Sequence, residues 1–427
     1  MILFFSVWLL LVLVLSFWNL KWGVVLFLMY MVLVPYMKLQ FGGFELGQNL
    51  FNTAFISSYF LYANKHNVNT DWRPFMPFIV YYIATLVVMP LQTHTPFFFM
   101  LNSWRISIMS TLFLPFVMWN VVNTEPSSVK LFRNAMLVAI AIAVGYGLVL
   151  TTTRGVNPYI FYLLSFMDVS QNMESYYEAS GGGRLFGRIS SVFVHPMSYA
   201  LFLGLSFIYV FQCREHIKKI IVALLLIAIG ASAITSGVRS VLGGLVIVVA
   251  YFFFMSRNYK IMIGVIFVAL ILYVIADSIP ELSRYLGSIA DVNNEKGDVS
   301  GSSVDMRIYQ LEGAMKEGSK NPLFGLGYGW TNYYQSLRGN HPVCLAFESL
   351  IYIIICNYGI FGFFLWTYMV VKYLKINRKM DLNENVLFDC LMIFYISYSC
   401  ITGEYGYMRL FLIFYVLMLC NQLQTPI

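Results

Sequence analysis

The sequence predicts an all-α, polytopic membrane protein with about 12–13 transmembrane helices. Three observations carry this. The 427 residues are 59% hydrophobic and only 11% charged, with a mean hydropathy of +0.72. The apolar residues come in long runs, many of them near the roughly 20 residues a helix needs to cross a bilayer. The runs are apolar on all sides, whereas strands of a membrane barrel alternate apolar and polar residues.

In chain order the spans fall at 2–18, 22–37, 44–62, 74–91, 105–122, 131–151, 189–213, 217–235, 239–255, 261–276, 345–371, 387–402 and 409–421. The first two are short and closely linked, so both twelve and thirteen spans and both sides for the N-terminus stay open. Residues 1–18 lack the basic n-region and small-residue cleavage site of a removed signal and read as a retained span. The six cysteines show no C-x-x-C spacing and read as apolar packing residues. No His/Asp/Glu cluster has metal-ligand spacing, so neither metal nor cofactor is expected.

The loops divide by charge. Lys130 and Arg133, "CREHIKK", "SRNYK" and "KYLKINRK" fall on one side, which the positive-inside rule makes cytoplasmic. Segments 152–188 and 277–344 then face outward, the periplasm if the membrane is a bacterial inner membrane. The chain accordingly divides into an N-terminal transmembrane region (1–183), central spans with arginine motifs (184–276), a large periplasmic segment (277–344) and C-terminal spans (345–427). The inner side carries nine lysines and five arginines. The outer side carries Arg105, Arg154, Arg184, Arg188, Arg239, Arg284, Arg307, Arg338 and Arg409, with only Lys38, Lys296, Lys316 and Lys320. Lysine suffices to fix topology, but the planar guanidinium fork binds phosphate oxygens two at a time. An arginine-rich outer face points to a phosphate-bearing substrate. No nucleic-acid partner is expected.

The outward segments hold the candidate residues. In "SGGGRLFGRISSVFVHPMSYALFLG", Arg184 and Arg188 share a face if helical; His195, before Pro196, reads as a hydrogen-bonded packing residue. In "ASAITSGVRSVLGG", Gly237 breaks the chain and Arg239 opens the next span, facing a polar cavity. After the hydrophilic "ADVNNEKGDVSGSS", Ser302 or Ser303 caps an amphipathic helix with an Ile308, Leu311, Met315 stripe that ends near Gly318. It is expected to lie on the membrane surface with Arg307 on another face. "NPLFGLGYGW" reads either as a backbone anion cradle or as a tight loop. In "HPVCLAFESL", Asn340 caps a helix, Pro342 sits in its first turn, and His341 and Glu348 project from one side, two turns apart. The carboxylate then orients the imidazole for acid–base work; alternatively Glu348 pairs with an outer arginine.

The order of these parts resembles the O-antigen polymerase and O-antigen ligase superfamily, membrane glycosyltransferases of the C-type fold. The resemblance rests on "GRISSVFVHPMSYA", "TSGVRS", "MRIYQLEGAMKEGSKNPLFGLGYG" and a histidine before a span with Gly359-Ile-Phe-Gly362, and it covers about residues 184–370. It implies a glycosyltransferase in which Arg188, Arg239 and Arg307 bind the pyrophosphate of an undecaprenyl-linked glycan and His341 helps deprotonate the acceptor hydroxyl. The residues themselves add Arg184, on the Arg188 face, to the phosphate-binding set and Glu348 to the acid–base pair, and a leaving group that already carries two phosphates needs no metal, so the enzyme is expected to be metal-independent. The implied activity is polymerisation of oligosaccharide repeat units for O-antigen, capsule or exopolysaccharide, with a chain-length regulator and a flippase as further partners. Ligation of the glycan to lipid A core stays open. A lipid-linked sugar transporter fits less well, because the unusual groups crowd toward one face and no internal repeat is visible.

Overall fold

The computed structural model describes residues 2–35, 39–41, 44–46, 48–153, 156–163, 188–257, 304–378 and 382–423. Its helices are α1 (Ile2–Trp18), α2 (Leu20–Leu33), α3 (Gln48–Lys65), α4 (Met76–Val88), α5 (Phe97–Thr124), α6 (Ser128–Thr152), α7 (Pro158–Leu163) and α8 (Pro196–Gln212). They continue with α9 (Lys219–Thr235), α10 (Arg239–Ser256), α11 (Val304–Gly318), α12 (Trp330–Arg338), α13 (Leu350–Asn377), α14 (Leu382–Thr402) and α15 (Tyr407–Gln422). Among the described residues, seven helical stretches are long and apolar enough to cross a bilayer, and four shorter ones are apolar. The protein is therefore an all-α, multi-pass membrane protein. The span expected at 261–276 and Arg184 lie outside the described residues.

One departure falls early. The span expected from residue 44 begins instead at Gln48, because Phe44–Leu46 pairs antiparallel with Leu39–Phe41. The Gly42-Gly43 dipeptide between them is a hairpin signal in the sequence that the hydropathy of the run outweighed.

The core is built around α15, which is buried along almost its whole length, as expected for a helix apolar all round. It packs against α5, α8, α14 and α6. Beside it, α14 drives the Phe394 ring between Gly204 of α8 and Gly244 of α10, where a Cβ on either glycine would collide with the ring. One polar cluster inside this apolar packing is internally paired. Asp389 accepts from Tyr251 and Asn377, and Asn377 accepts in turn from Tyr415.

Alternation of the helices gives the bundle two unlike ends. Lys21 meets Glu125 at 3.2 Å at the lysine-rich end. Arg188, Arg239 and Arg307 stand at the other, where α8, α10, α13 and α15 begin. Each helix start presents the positive end of its dipole there.

Helix α13 is interrupted at Gly359 (φ 60°, ψ −151°). The break lets Ile360 N–H and Phe361 N–H turn outward to the carbonyls of Pro322 (2.9 Å) and Leu323 (3.0 Å). In an unbroken helix these two N–H groups would occupy the carbonyls of Cys356 and Asn357. Here Cys356 O accepts from Leu326 N–H (2.7 Å) and Asn357 O from Gln92 Nε2 (3.0 Å). Gln92 also donates to Phe324 O (2.5 Å) and accepts from Tyr328 N–H (3.0 Å). The "NPLFGLGYG" segment is thus a tight loop clamped into the broken helix, and several of its amides are already committed. Of the two sequence readings the loop holds, and the anion cradle does not. Non-helical backbone inside a membrane bundle is tolerated only with such pairing.

Candidate functional site

Helix α11 lies along the first half of α13. Its Gln310 and Ala314 face the protein, while Ile308, Leu311 and Met315 stay uncovered (51%, 38% and 59% exposed), the pattern of a helix resting on a membrane surface. Arg307, on the inner face, donates through Nη1 to Glu348 O (2.8 Å) and Gln310 Oε1 (3.3 Å), with Nη2 3.4 Å from Glu348 Oε2. Both side chains remain about a quarter to a third exposed (26% and 30%). An ion pair at that exposure contributes only about 0–1 kcal/mol, so the guanidinium can exchange this carboxylate for a phosphate at small cost.

The expected pairing of His341 with Glu348 is corrected. No helix runs from Asn340; residues 341–349 form a loop closed by reciprocal bonds between His341 and Leu345 (2.9 Å each way). Helix α13 begins only at Leu350, and its first turn is capped by the Ser349 hydroxyl, which accepts from Ile351 N–H. His341 Nδ1 accepts from Val343 N–H (3.1 Å) and Cys344 N–H (2.9 Å), which puts the proton of the neutral ring on Nε2. Nε2 faces Glu317, 3.8 Å from Oε1, and not Glu348. The ring is buried against Tyr334 and Phe347. Burial pushes the imidazole below its ordinary pKa, partly offset by Glu317. Glu317 stands ten residues beyond Arg307 on α11, roughly 15 Å of axial rise, so the imidazole and this guanidinium occupy successive parts of one surface.

The turn between α14 and α15 ties the remaining pieces together. Ser349 donates to Cys400 O (2.7 Å) and Tyr405 to Ala346 O (2.7 Å), fixing the Glu348 loop to the end of α14. On the other side Tyr398 donates to Met197 O (2.7 Å) in the first turn of α8. His195 caps that turn through Nδ1, which accepts from Met197 N–H (3.2 Å). Burial, and then the nearby charge of Arg188, lowers the His195 pKa to about 4. Arg239, half-buried, opens α10, which packs closely along α14.

Next to this turn is a cavity of about 340 Å³. Its walls include Ser103, Ser107, Ser110 and Thr111 of α5, Tyr81 and Tyr82 of α4, Tyr328 of the clamped loop and Thr331 beyond it, Asn357 and Tyr358 at the break in α13, and Glu404. Glu404 Oε1 accepts from Met408 N–H (2.8 Å) and Oε2 from Gly406 N–H (3.3 Å). Burial raises its pKa, and the backbone donors at the start of α15 offset part of that rise. Tyr405, which also lines the cavity, is exposed. The sequence reading passed over this cavity. Serines at 103, 107 and 110 with Thr111 repeat at helical spacing, and Glu404 is a lone carboxylate in a turn between two apolar helices. Either signal was available.

Residues 221–367 match a family described as O-antigen ligase. The matched region runs from α9 into α13 and contains Arg239, Arg307, His341 and Glu348; Arg188 and Glu404 lie beyond it. Over this stretch, about a third of the chain, the protein resembles the O-antigen ligase family, whose members are glycosyltransferase-like enzymes, and the chain as a whole is a multi-pass membrane protein. No curated protein matches the chain.

Proposed function

We propose that the protein polymerises undecaprenyl-pyrophosphate-linked oligosaccharide repeat units at the periplasmic face of a bacterial inner membrane. The observation that carries this reading is Arg307, part-exposed and resting on Glu348 through a weak pair, at the end of the bundle where Arg188, Arg239 and four helix starts also lie. In this reading the pyrophosphate displaces Glu348 from Arg307. The guanidinium groups then stabilise the charge that develops on the leaving phosphate, so a metal is not required. Arg184 is assigned to the same phosphate-binding set from the sequence.

His341 takes a different part from the one expected. With Nδ1 committed to two backbone amides, it offers Nε2–H as a hydrogen-bond donor to the bound substrate, and it does not receive the acceptor's proton. Glu348 acts as the gate on Arg307. Transfer of finished glycan to lipid A core would use the same donor chemistry and differs only in acceptor.

Deleting the gene and resolving surface polysaccharide on a gel tests the reading. Loss of the ladder with one repeat unit retained supports a polymerase, accumulation of lipid-linked polymer moves the assignment to a ligase, and an unchanged ladder overturns both.

A further inference from the structure

The arginine surface and the neighbouring cavity are chemically opposite. Among the described residues no lysine or arginine lines the cavity, and Glu404 is its one charged wall residue. A pyrophosphate would meet a carboxylate there with no cation to offset it, and burying such a pair is costly. A hydroxyl-rich, uncharged ligand meets the reverse situation. Ser103, Ser107, Ser110, Thr111, Thr331 and Asn357 offer donors and acceptors that can pair with sugar hydroxyls. Tyr81, Tyr328 and Tyr358, packed edge-to-face with Tyr358 6.3 Å from Tyr81 and 5.7 Å from Tyr328 between ring centroids, add aromatic surface to the lining, of the kind the C–H faces of a pyranose pack on. At about 340 Å³ the volume lies at the small end of ligand sites, about 300–1,000 Å³, and suits the end of a glycan rather than a lipid carrier. Two of its lining residues, Asn332 and Tyr405, are exposed, and the Tyr405 hydroxyl donates to Ala346 O (2.7 Å), two residues before Glu348.

We propose that this cavity is the acceptor-sugar site, and that Glu404 takes the proton of the attacking hydroxyl. The proposal rests on the glycan-transfer reading above. In the step, the acceptor oxygen forms a bond to the donor's anomeric carbon while the bond from that carbon to the phosphate oxygen breaks. The hydroxyl proton passes to Glu404, and the electron pair of the broken bond leaves on the pyrophosphate, where the arginines meet it. Glu404 is held for this by Gly406 N–H and Met408 N–H, so its carboxylate is fixed against the cavity wall before substrate arrives.

The test uses a deletion strain complemented with the full chain carrying S107F, which fills the cavity, S103A/S107A, which removes hydroxyls but keeps the volume, or E404Q, which keeps shape but not basicity. S57F, on the exposed face of α3, controls for added bulk. Membrane levels are followed by immunoblot and melting, and turnover by chain extension in membranes supplied with the strain's own lipid-linked repeat units. E404Q is expected to slow extension about 10²–10⁴-fold at unchanged acceptor KM, S103A/S107A to raise that KM, and S57F to behave as wild type. Should S107F fail to accumulate, E404Q and S103A/S107A carry the test. Wild-type extension by both, at wild-type protein levels in a strain whose deletion abolishes the ladder, overturns this proposal and leaves the transfer reading standing. A deletion without effect on the ladder overturns the transfer reading itself.

Discussion

Replacing Gly359 by alanine should loosen the scaffold on which the candidate site stands. The residue sits at φ 60°, ψ −151°, a region populated almost only by glycine and costing other residues about 1–3 kcal/mol. A Cβ there would lie 2.5 Å from Pro322 O and 2.8 Å from Gly325 N, and overpacking of that kind costs about 1–3 kcal/mol more. Straightening α13 would relieve both terms, but Ile360 N–H would then take Cys356 O from Leu326, and Phe361 N–H would take Asn357 O from Gln92. Either way the clamped loop loses its seat, at a total of about 2–6 kcal/mol. Gly145 of α6 is the control: a Cβ there meets nothing within 4 Å, so G145A should gain about 0.5–1 kcal/mol from helix propensity. The assay is thermal unfolding of both variants, purified in the same detergent. G359A melting at or above wild type would refute the reasoning.

Other consequences follow from the same geometry. Arg307→Ala should slow turnover about 10²–10³-fold, and Arg307→Lys should recover little of it because the two-pronged contact is lost; steady-state rates on lipid-linked donor check both. His341→Gln, which keeps a donor, should retain more turnover than His341→Ala, and equal loss in the two would remove the donor role. His195, with a folded pKa of about 4, lies below its ordinary value of about 6.5. Stability is therefore full above about pH 6.5 and falls as the pH drops through the window from 6.5 to 4, by about 3 kcal/mol at most. His195→Asn should flatten melting temperature across that window. Gln92→Ala should strand the buried N–H of Tyr328 and the carbonyls of Phe324 and Asn357, costing about 1–3 kcal/mol for each left unpaired, read as lowered melting with G145A-like expression.

The fold was largely legible because a bilayer enforces it: an apolar run of sufficient length has only the helix available. Arg239 at the start of its span and the surface stripe of α11 were likewise readable from periodicity. The break at Gly359 was visible only as a glycine in an apolar run, since its cause is the loop at 321–327, which occupies the carbonyls the helix gives up. The His341–Glu348 pairing failed for a related reason. Seven-residue spacing implies a shared face only inside a helix, and the backbone instead closes on itself between His341 and Leu345. Glu404 was passed over because its surroundings come from α4, α5, α13 and the 328–331 segment, which converge only in three dimensions.

The central claim is that guanidinium groups at one end of the bundle receive a lipid-linked pyrophosphate as leaving group. Incubating the purified protein in nanodiscs with undecaprenyl-pyrophosphate-linked repeat units, with chelator present, tests it most directly. The account predicts longer lipid-linked glycan together with one free undecaprenyl pyrophosphate per bond formed, both lost in Arg307→Ala. Glycan extension undiminished in Arg307→Ala, or extension that stops when chelator is added, would contradict it.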